Sequence, residues 1–239
     1  MQMIGIGKGN PKIGIVGCLH GNEKIGAEII AAVKDIKLMP GSLVLIIANE
    51  EAMKEEKRFI DIDLNRCFPG DVNGNHEEKL AAAISKELEK CDYVIDIHST
   101  TADTESFIVA TKKEALVLAQ AVPINKIVFI EPVIANGKSL IDNVQCGISI
   151  EFGNQEKAGA AKEIIITCLQ RISKARKHSD AKKAVYSVYG AIKKGNADPA
   201  LVNFQQTALD GETFYPVLFG EKEYREILCL KAKKSPIQP

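Results

Sequence analysis

The chain has 239 residues, 46% hydrophobic and 26% charged, a length that buries a full core as one large domain or one domain with a small appendage. Its 31 Lys plus Arg are balanced by 31 Asp plus Glu, which argues against nucleic acid as the main partner, because phosphate binding leaves a basic excess. No apolar run approaches the roughly 20 residues that span a bilayer, and the first residues lack the layout of a secretory signal, so a cytoplasmic protein with no membrane partner is expected.

In chain order, the first strong signal is Lys12–Gly17, a short Ile- and Val-rich run expected as a buried strand. It ends in Cys18-Leu19-His20-Gly21-Asn22-Glu23, ahead of a helical stretch over Ile25–Ile36. Leu43–Ala48 reads as a second strand. Then comes Arg58-Phe59-Ile60-Asp61-Ile62-Asp63-Leu64-Asn65-Arg66, with two arginines, an asparagine and two acids within nine residues. A helix is expected over His76–Lys90. Asn75 caps it, Glu78 stands three residues on as in a capping box, and Leu80, Ala83, Ile84 and Leu88 form an apolar stripe. Tyr93–Ile97 reads as a strand ending at His98. Lys113–Ala121 (helix), Lys126–Ile130 (strand), Gly147–Phe152 (strand) and Gln155–Lys177 (helix) follow.

Strands alternating with helices imply an α/β fold, a largely parallel sheet covered by helices on both faces. Near residue 178 the pattern changes to period-two stretches such as Val185–Val188 and Phe214–Leu218, with loop-like Gly195–Pro199 between. The expected division is 1–180 and a small β-rich unit over 181–239. The six cysteines have no Cys-x-x-Cys spacing and are read as buried thiols.

Ligands of open α/β sheets collect outside the carboxyl ends of the strands. His20 and His98 both stand there, and Glu23 is one turn beyond His20. Two imidazoles and a carboxylate make a three-ligand set that leaves one zinc position open for water. Alone, each residue reads as well as a hydrogen-bonded structural His or a solvated first-turn acid; two of only four histidines closing apolar strands in matching positions shifts the balance. Asp96 shares a strand face with His98 and could accept the outer N–H of its imidazole. Glu151, embedded in an apolar strand, is costly to bury unless paired or functional, and beside a metal it could act as general base. In 58–66 the arginines could bind a carboxylate or polarise a carbonyl, or simply pair with Asp61 and Asp63.

His20-Gly21-Asn22-Glu23, Asp61-Ile62-Asp63-Leu64-Asn65-Arg66, Asp96-Ile97-His98 and Ile150-Glu151-Phe152-Gly153 occur in the order seen in the succinylglutamate desuccinylase/aspartoacylase family, and Tyr215-Pro216-Val217 with Glu221 and Tyr224 resembles the end of aspartoacylases. The resemblance runs from about residue 13 to 227. It implies a zinc carboxypeptidase-like α/β domain with a β-rich C-terminal domain. It also implies one Zn2+ on His20, Glu23 and His98, water activation by Glu151, and carbonyl polarisation by Arg58. Asn65 and Arg66 would grip a substrate carboxylate, and Tyr224 would close over it. Aspartoacylases carry a second substrate-binding Arg before the catalytic Glu; here Lys138-Ser139 is the nearest match, a point charge where Arg gives a fork.

The expected function is therefore hydrolysis of an N-acyl amino acid or similar carboxylate-bearing small amide. A peptide carboxypeptidase using Arg66 for the terminal carboxylate, and a non-catalytic metal-binding relative, are the alternatives. Nothing in the sequence excludes a homo-oligomer.

Overall fold

A computed structural model of the protein describes all residues except 37–39, 132–135, 154–157, 175–181, 196–198 and 237–239. Among the described residues eleven strands form one sheet. They are β1 (Gln2–Lys8), β2 (Lys12–Gly17), β3 (Gly41–Ile47), β4 (Tyr93–Ser99), β5 (Phe107–Ala110), β6 (Lys126–Phe129), β7 (Gly147–Phe152), β8 (Ala184–Lys193), β9 (Thr207–Leu209), β10 (Glu212–Val217) and β11 (Ile227–Pro236). The helices are α1 (Ile25–Val33), α2 (Glu50–Lys54), α3 (His76–Leu88), α4 (Leu116–Ala121) and α5 (Ala158–Ser173). The order across the sheet is β1-β3-β2-β4-β7-β5-β6-β8-β11-β10-β9.

The middle of this sheet positions everything that follows. Strands β3, β2, β4 and β7 run parallel, so their carboxyl ends lie on one edge. Strand β5 runs antiparallel to β7 and reverses the direction. Side chains alternate across the pleat. Ile13, Ile15, Ile95, Ile97, Ile148 and Ile150 therefore face one core with α1, α4 and α5, including Ile165 and Leu169. Val16 and Val94 face the other way, into a core with Ala81, Ile84 and Leu88 of α3. Asp96, His98, Ser149 and Glu151 alternate with the first set and so share the second face. The helix α3 begins as its sequence predicts, with the Asn75 side chain accepting from Glu78 N and the Glu78 side chain accepting from Asn75 N.

The helix expected over Lys113–Ala121 is split into a 3-10 turn at Lys113–Ala115 and α4. The ends of the helix expected over Gln155–Lys177, and most of the loop Gly195–Pro199, lie outside the described residues. The C-terminal strands continue the main sheet, because β8 pairs in parallel with β6 from Lys126↔Ala184 to Phe129↔Ser187. A third core joins them to the rest: Phe204 stands edge-on to Phe107 and to Tyr186, with ring centroids 5.3 and 4.9 Å apart. None of the six cysteines is in a disulfide, and five are buried, Cys146 being partly exposed. Among the described residues no helix is long and apolar enough to cross a membrane.

Candidate metal centre and active-site cleft

Strand β2 ends at Gly17, and Cys18 turns the chain with a φ of 57°, a conformation that side chains rarely adopt. That turn aims His20 back over the sheet edge. Gly21 is needed there because a Cβ would lie 2.2 Å from the Ala52 backbone; its N–H donates to Arg58 O at 3.1 Å. The turn before α1 is thus stitched to the segment that carries Arg58. From the neighbouring strand end comes His98, paired in register with Glu151 of β7, while Asp96 pairs with Ser149.

Three side chains converge on one point. Glu23 Oε1 lies 2.6 Å from His20 Nδ1, and Glu23 Oε2 lies 3.0 Å from His98 Nδ1. One ligand atom from each residue falls within 4.8 Å of the others, and the imidazole centroids are 4.9 Å apart. The far nitrogens are held as well. His20 Nε2 faces Asp63 Oδ1 at 3.0 Å, and His98 Nε2 faces Asp96 Oδ2 at 2.6 Å. A carboxylate on the outer N–H fixes the tautomer and leaves the inner nitrogen's lone pair for a cation. Asp96 is in turn bonded by Ser149 Oγ at 3.2 Å. Two imidazole nitrogens and a carboxylate, buried and pre-oriented in this way, fit a divalent metal of zinc type.

The electrostatics agree. Burial alone would lower both histidines, yet the carboxylates outweigh it: Glu23 and Asp63 raise His20, and Asp96 and Glu23 raise His98 well above the ordinary value. Burial alone would raise Glu23, but the two imidazoles hold it well below the usual carboxylate range. Such a concentration of negative charge around two imidazoles is what a cation would find there. Burial pushes the Glu151 carboxyl up to about 7; His98 opposes the rise and Glu23 adds to it.

The cleft above these residues is lined by Asn22, Arg58, Asn65, Arg66, Ser99, Thr101, Glu151, Glu223 and Tyr224 among others, and its cavity of about 180 Å³ suits a small molecule. Arg58 donates through Nε and Nη2 to Asp63 Oδ2, at 3.2 and 3.0 Å, and approaches Glu23 Oε1 at 3.5 Å. Asn65 Oδ1 accepts from Leu140 N at 2.8 Å. Arg66 is exposed, bonding only the Asn65 carbonyl at 2.7 Å among the described residues. Tyr224, raised to about 12 chiefly by burial and by Glu151, stands at the mouth. Lys138 is not among the residues that line the cleft. Its side chain is exposed, and its carbonyl accepts from Phe68 N at 3.2 Å.

Three further residues have roles in the site that only the folded chain shows. Asp63 orients both His20 and Arg58, although only arginine pairing was read from its position. Glu77 is fully buried and accepts from the backbone N–H groups of Ile60, Asp61 and Ile62 and from Asn49 Nδ2, shaping the loop that carries Arg58 and Asp63. Glu221 accepts from Thr100 Oγ1, from Thr101 N at 3.0 Å and from Thr101 Oγ1 at 2.7 Å, tying the C-terminal segment to the end of β4.

Comparison with known proteins gives the family and the fold. The model of the succinylglutamate desuccinylase/aspartoacylase catalytic domain matches residues 10–175. A probable aspartoacylase of Parasynechococcus marenigrum (strain WH8102) is 30% identical over 190 residues, covering 68% of this chain and 62% of its own length. Another, from Acaryochloris marina (strain MBIC 11017), is 38% identical over 102 residues, 37% of this chain and 35% of its own. The chain thus spans less than two thirds of the length of these relatives. Among solved structures, murine aminoacylase 3 superimposes with a TM-score of 0.78 at 19% identity, covering 96% of this chain and 97% of that one. The chain belongs to the succinylglutamate desuccinylase/aspartoacylase family.

Proposed function

We propose that the protein is a zinc-dependent hydrolase that cleaves the amide bond of an N-acyl amino acid or a similar carboxylate-bearing small amide. One observation carries the reading: two Nδ1 atoms and Glu23 converge while Asp63 and Asp96 hold the outer nitrogens, with Glu151 in register beside His98. His20, Glu23 and His98 would hold a single Zn2+, whose chemistry is to lower the pKa of a bound water to about 7 and to polarise a carbonyl.

The chain's own residues supply the rest. Arg58 keeps its charge because Asp63 and Glu23 raise it against the pull of burial, and its remaining donors can stabilise the oxyanion. Arg66, with Asn65 behind it, takes the substrate carboxylate in a fork. Glu151 takes a proton from the attacking water at its carboxylate and returns it to the departing nitrogen. Tyr224 closes the mouth, presented by residues 181–239, which we read as a small C-terminal domain beside the catalytic residues 1–180. The partner is then a small molecule, and the setting cytoplasmic.

The relatives' names include aspartoacylases and N-acyl-aromatic-L-amino acid amidohydrolases, which supports the amide class. The test is Glu151→Gln with its zinc content measured. With metal retained, kcat should fall by about 10²- to 10⁴-fold. Unchanged hydrolysis would remove Glu151 as the base.

A further inference from the structure

Four acids and two arginines line the cleft, and most are engaged. Glu23 holds the imidazoles and the Ser99 N–H. Glu221 is filled by Thr100, Thr101 and the backbone N–H of Glu223. Arg58 is held by Asp63 and Glu23, and its remaining donors are assigned to the oxyanion. Glu151 is the acid beside the ligands. Two charges remain for a ligand: Arg66, and Glu223, whose carboxylate meets no donor among the described residues.

Glu223 is not on a loose loop. Its N–H donates to Glu221 Oε1 at 3.0 Å, and Glu221 is anchored to Thr100 and Thr101, which follow His98 by two and three residues. At Leu218 the same segment turns with a φ of 58°, a strained conformation at the edge of the cleft. The exposed carboxylate is thereby held over the cleft, near enough to Arg58 to stabilise its charge.

We propose that Glu223 is a specificity-determining residue that receives an ammonium group of the substrate, so that the preferred amide carries one carboxylate for Arg66 and one ammonium for Glu223. This rests on reading the cleft as an acyl-amino acid hydrolase site. A substrate with a second carboxylate, such as an acyl-aspartate, meets Glu223 as a like charge and is disfavoured. The ammonium can lie on the amino-acid side chain or on the acyl group, with the same chemistry at Glu223.

Paired substrates separate the two sources: Nα-acetyl-L-ornithine against N-acetyl-L-norvaline, and β-alanyl- against butyryl-L-norvaline, with N-acetyl-L-glutamate as the doubly anionic control. In the wild-type enzyme the ammonium member of one pair should have the higher kcat/KM. In Glu223→Gln that ratio should fall about three- to tenfold, the range for an ion pair at a half-open rim. In Glu223→Lys the preference should turn towards N-acetyl-L-glutamate. The pair that responds identifies where the ammonium sits. A wild-type enzyme indifferent to both pairs, or ratios unmoved by both substitutions, would overturn the proposal.

Failure of the hydrolase reading looks different: no amide is cleaved. Ligand-induced melting shifts still decide the role of Glu223 in that case. L-ornithine or β-alanine should stabilise the protein more than L-norvaline or butyrate, a difference lost in Glu223→Gln. Equal shifts in both proteins would count against it.

Discussion

Replacing Glu77 with glutamine changes one oxygen to an NH₂ group at a fully buried site. Oε1 accepts from Ile60 N at 2.7 Å and Asn49 Nδ2 at 2.9 Å; Oε2 accepts from Asp61 N at 3.0 Å and Ile62 N at 3.3 Å. Whichever way the new amide is turned, one pair of N–H donors loses its acceptor and faces another donor. A buried donor left unpaired costs about 1–3 kcal/mol. Two of them set a range of about 2–6 kcal/mol, and the lower half applies because Asp61 and Ile62 border solvent, so about 2–4 kcal/mol is expected at pH 7.

The loss also depends on pH. Burial alone would raise Glu77, but the N–H donors win and hold its carboxyl below the ordinary 4.5. A group depressed in the folded state contributes stability that is present above the unfolded value and lost as the pH falls through the folded one. Glutamine does not titrate, so the gap between wild type and variant should close below pH 4.5. Urea unfolding at pH 7 and at several lower values measures both effects, read as a lower midpoint at unchanged m. A variant within about 0.5 kcal/mol of wild type at pH 7, the usual range for inconsequential surface changes, would refute the reasoning. So would a gap that stays constant into the acid range.

Other outcomes follow from the same contacts. Asp63→Asn removes the carboxylate that orients His20 and Arg58, and should weaken zinc binding about 10- to 100-fold in a competitive chelator titration. Glu221→Ala frees Thr100 and Thr101, so hydrogen exchange across 218–224 should speed up and KM should rise while zinc content holds. In the native protein at pH 8, a thiol reagent should label Cys146 first. Burial raises Cys18, Cys67 and Cys229 to about 11 and Cys168 to about 12, and equal labelling of all six would contradict the packing.

The parts of the fold legible in the sequence are those where the pattern is set by burial on both faces. Strands β2 and β7 begin and end where their Ile-rich runs do, and Asn75 and Glu78 mark the start of α3. Strand β1 gives no such signal, since Gln2–Lys8 lies on the edge of the sheet with nearly every residue exposed and glycine alternating through it. Strand β5, four residues long, is too short to show a period. The positions of His20, His98 and Glu151 were readable because each closes an apolar run at a strand end. Asp63 and Glu77 were not. Their roles depend on a loop folding back over α3, and a first-turn acid such as Glu77 looks in sequence like an ordinary dipole partner facing water. Glu223 was equally hidden, one acid in a charged run whose place over the cleft is set by Glu221 and its two threonines.

The proposed zinc on His20, Glu23 and His98, serving amide hydrolysis, is tested most directly by release of free amine from a panel of N-acyl amino acids by chelator-stripped protein titrated with zinc. Turnover should rise from background to a plateau at one equivalent, and the plateau should vanish in His98→Ala. No hydrolysis of any member at any zinc level, or hydrolysis that survives in His98→Ala, would contradict the account.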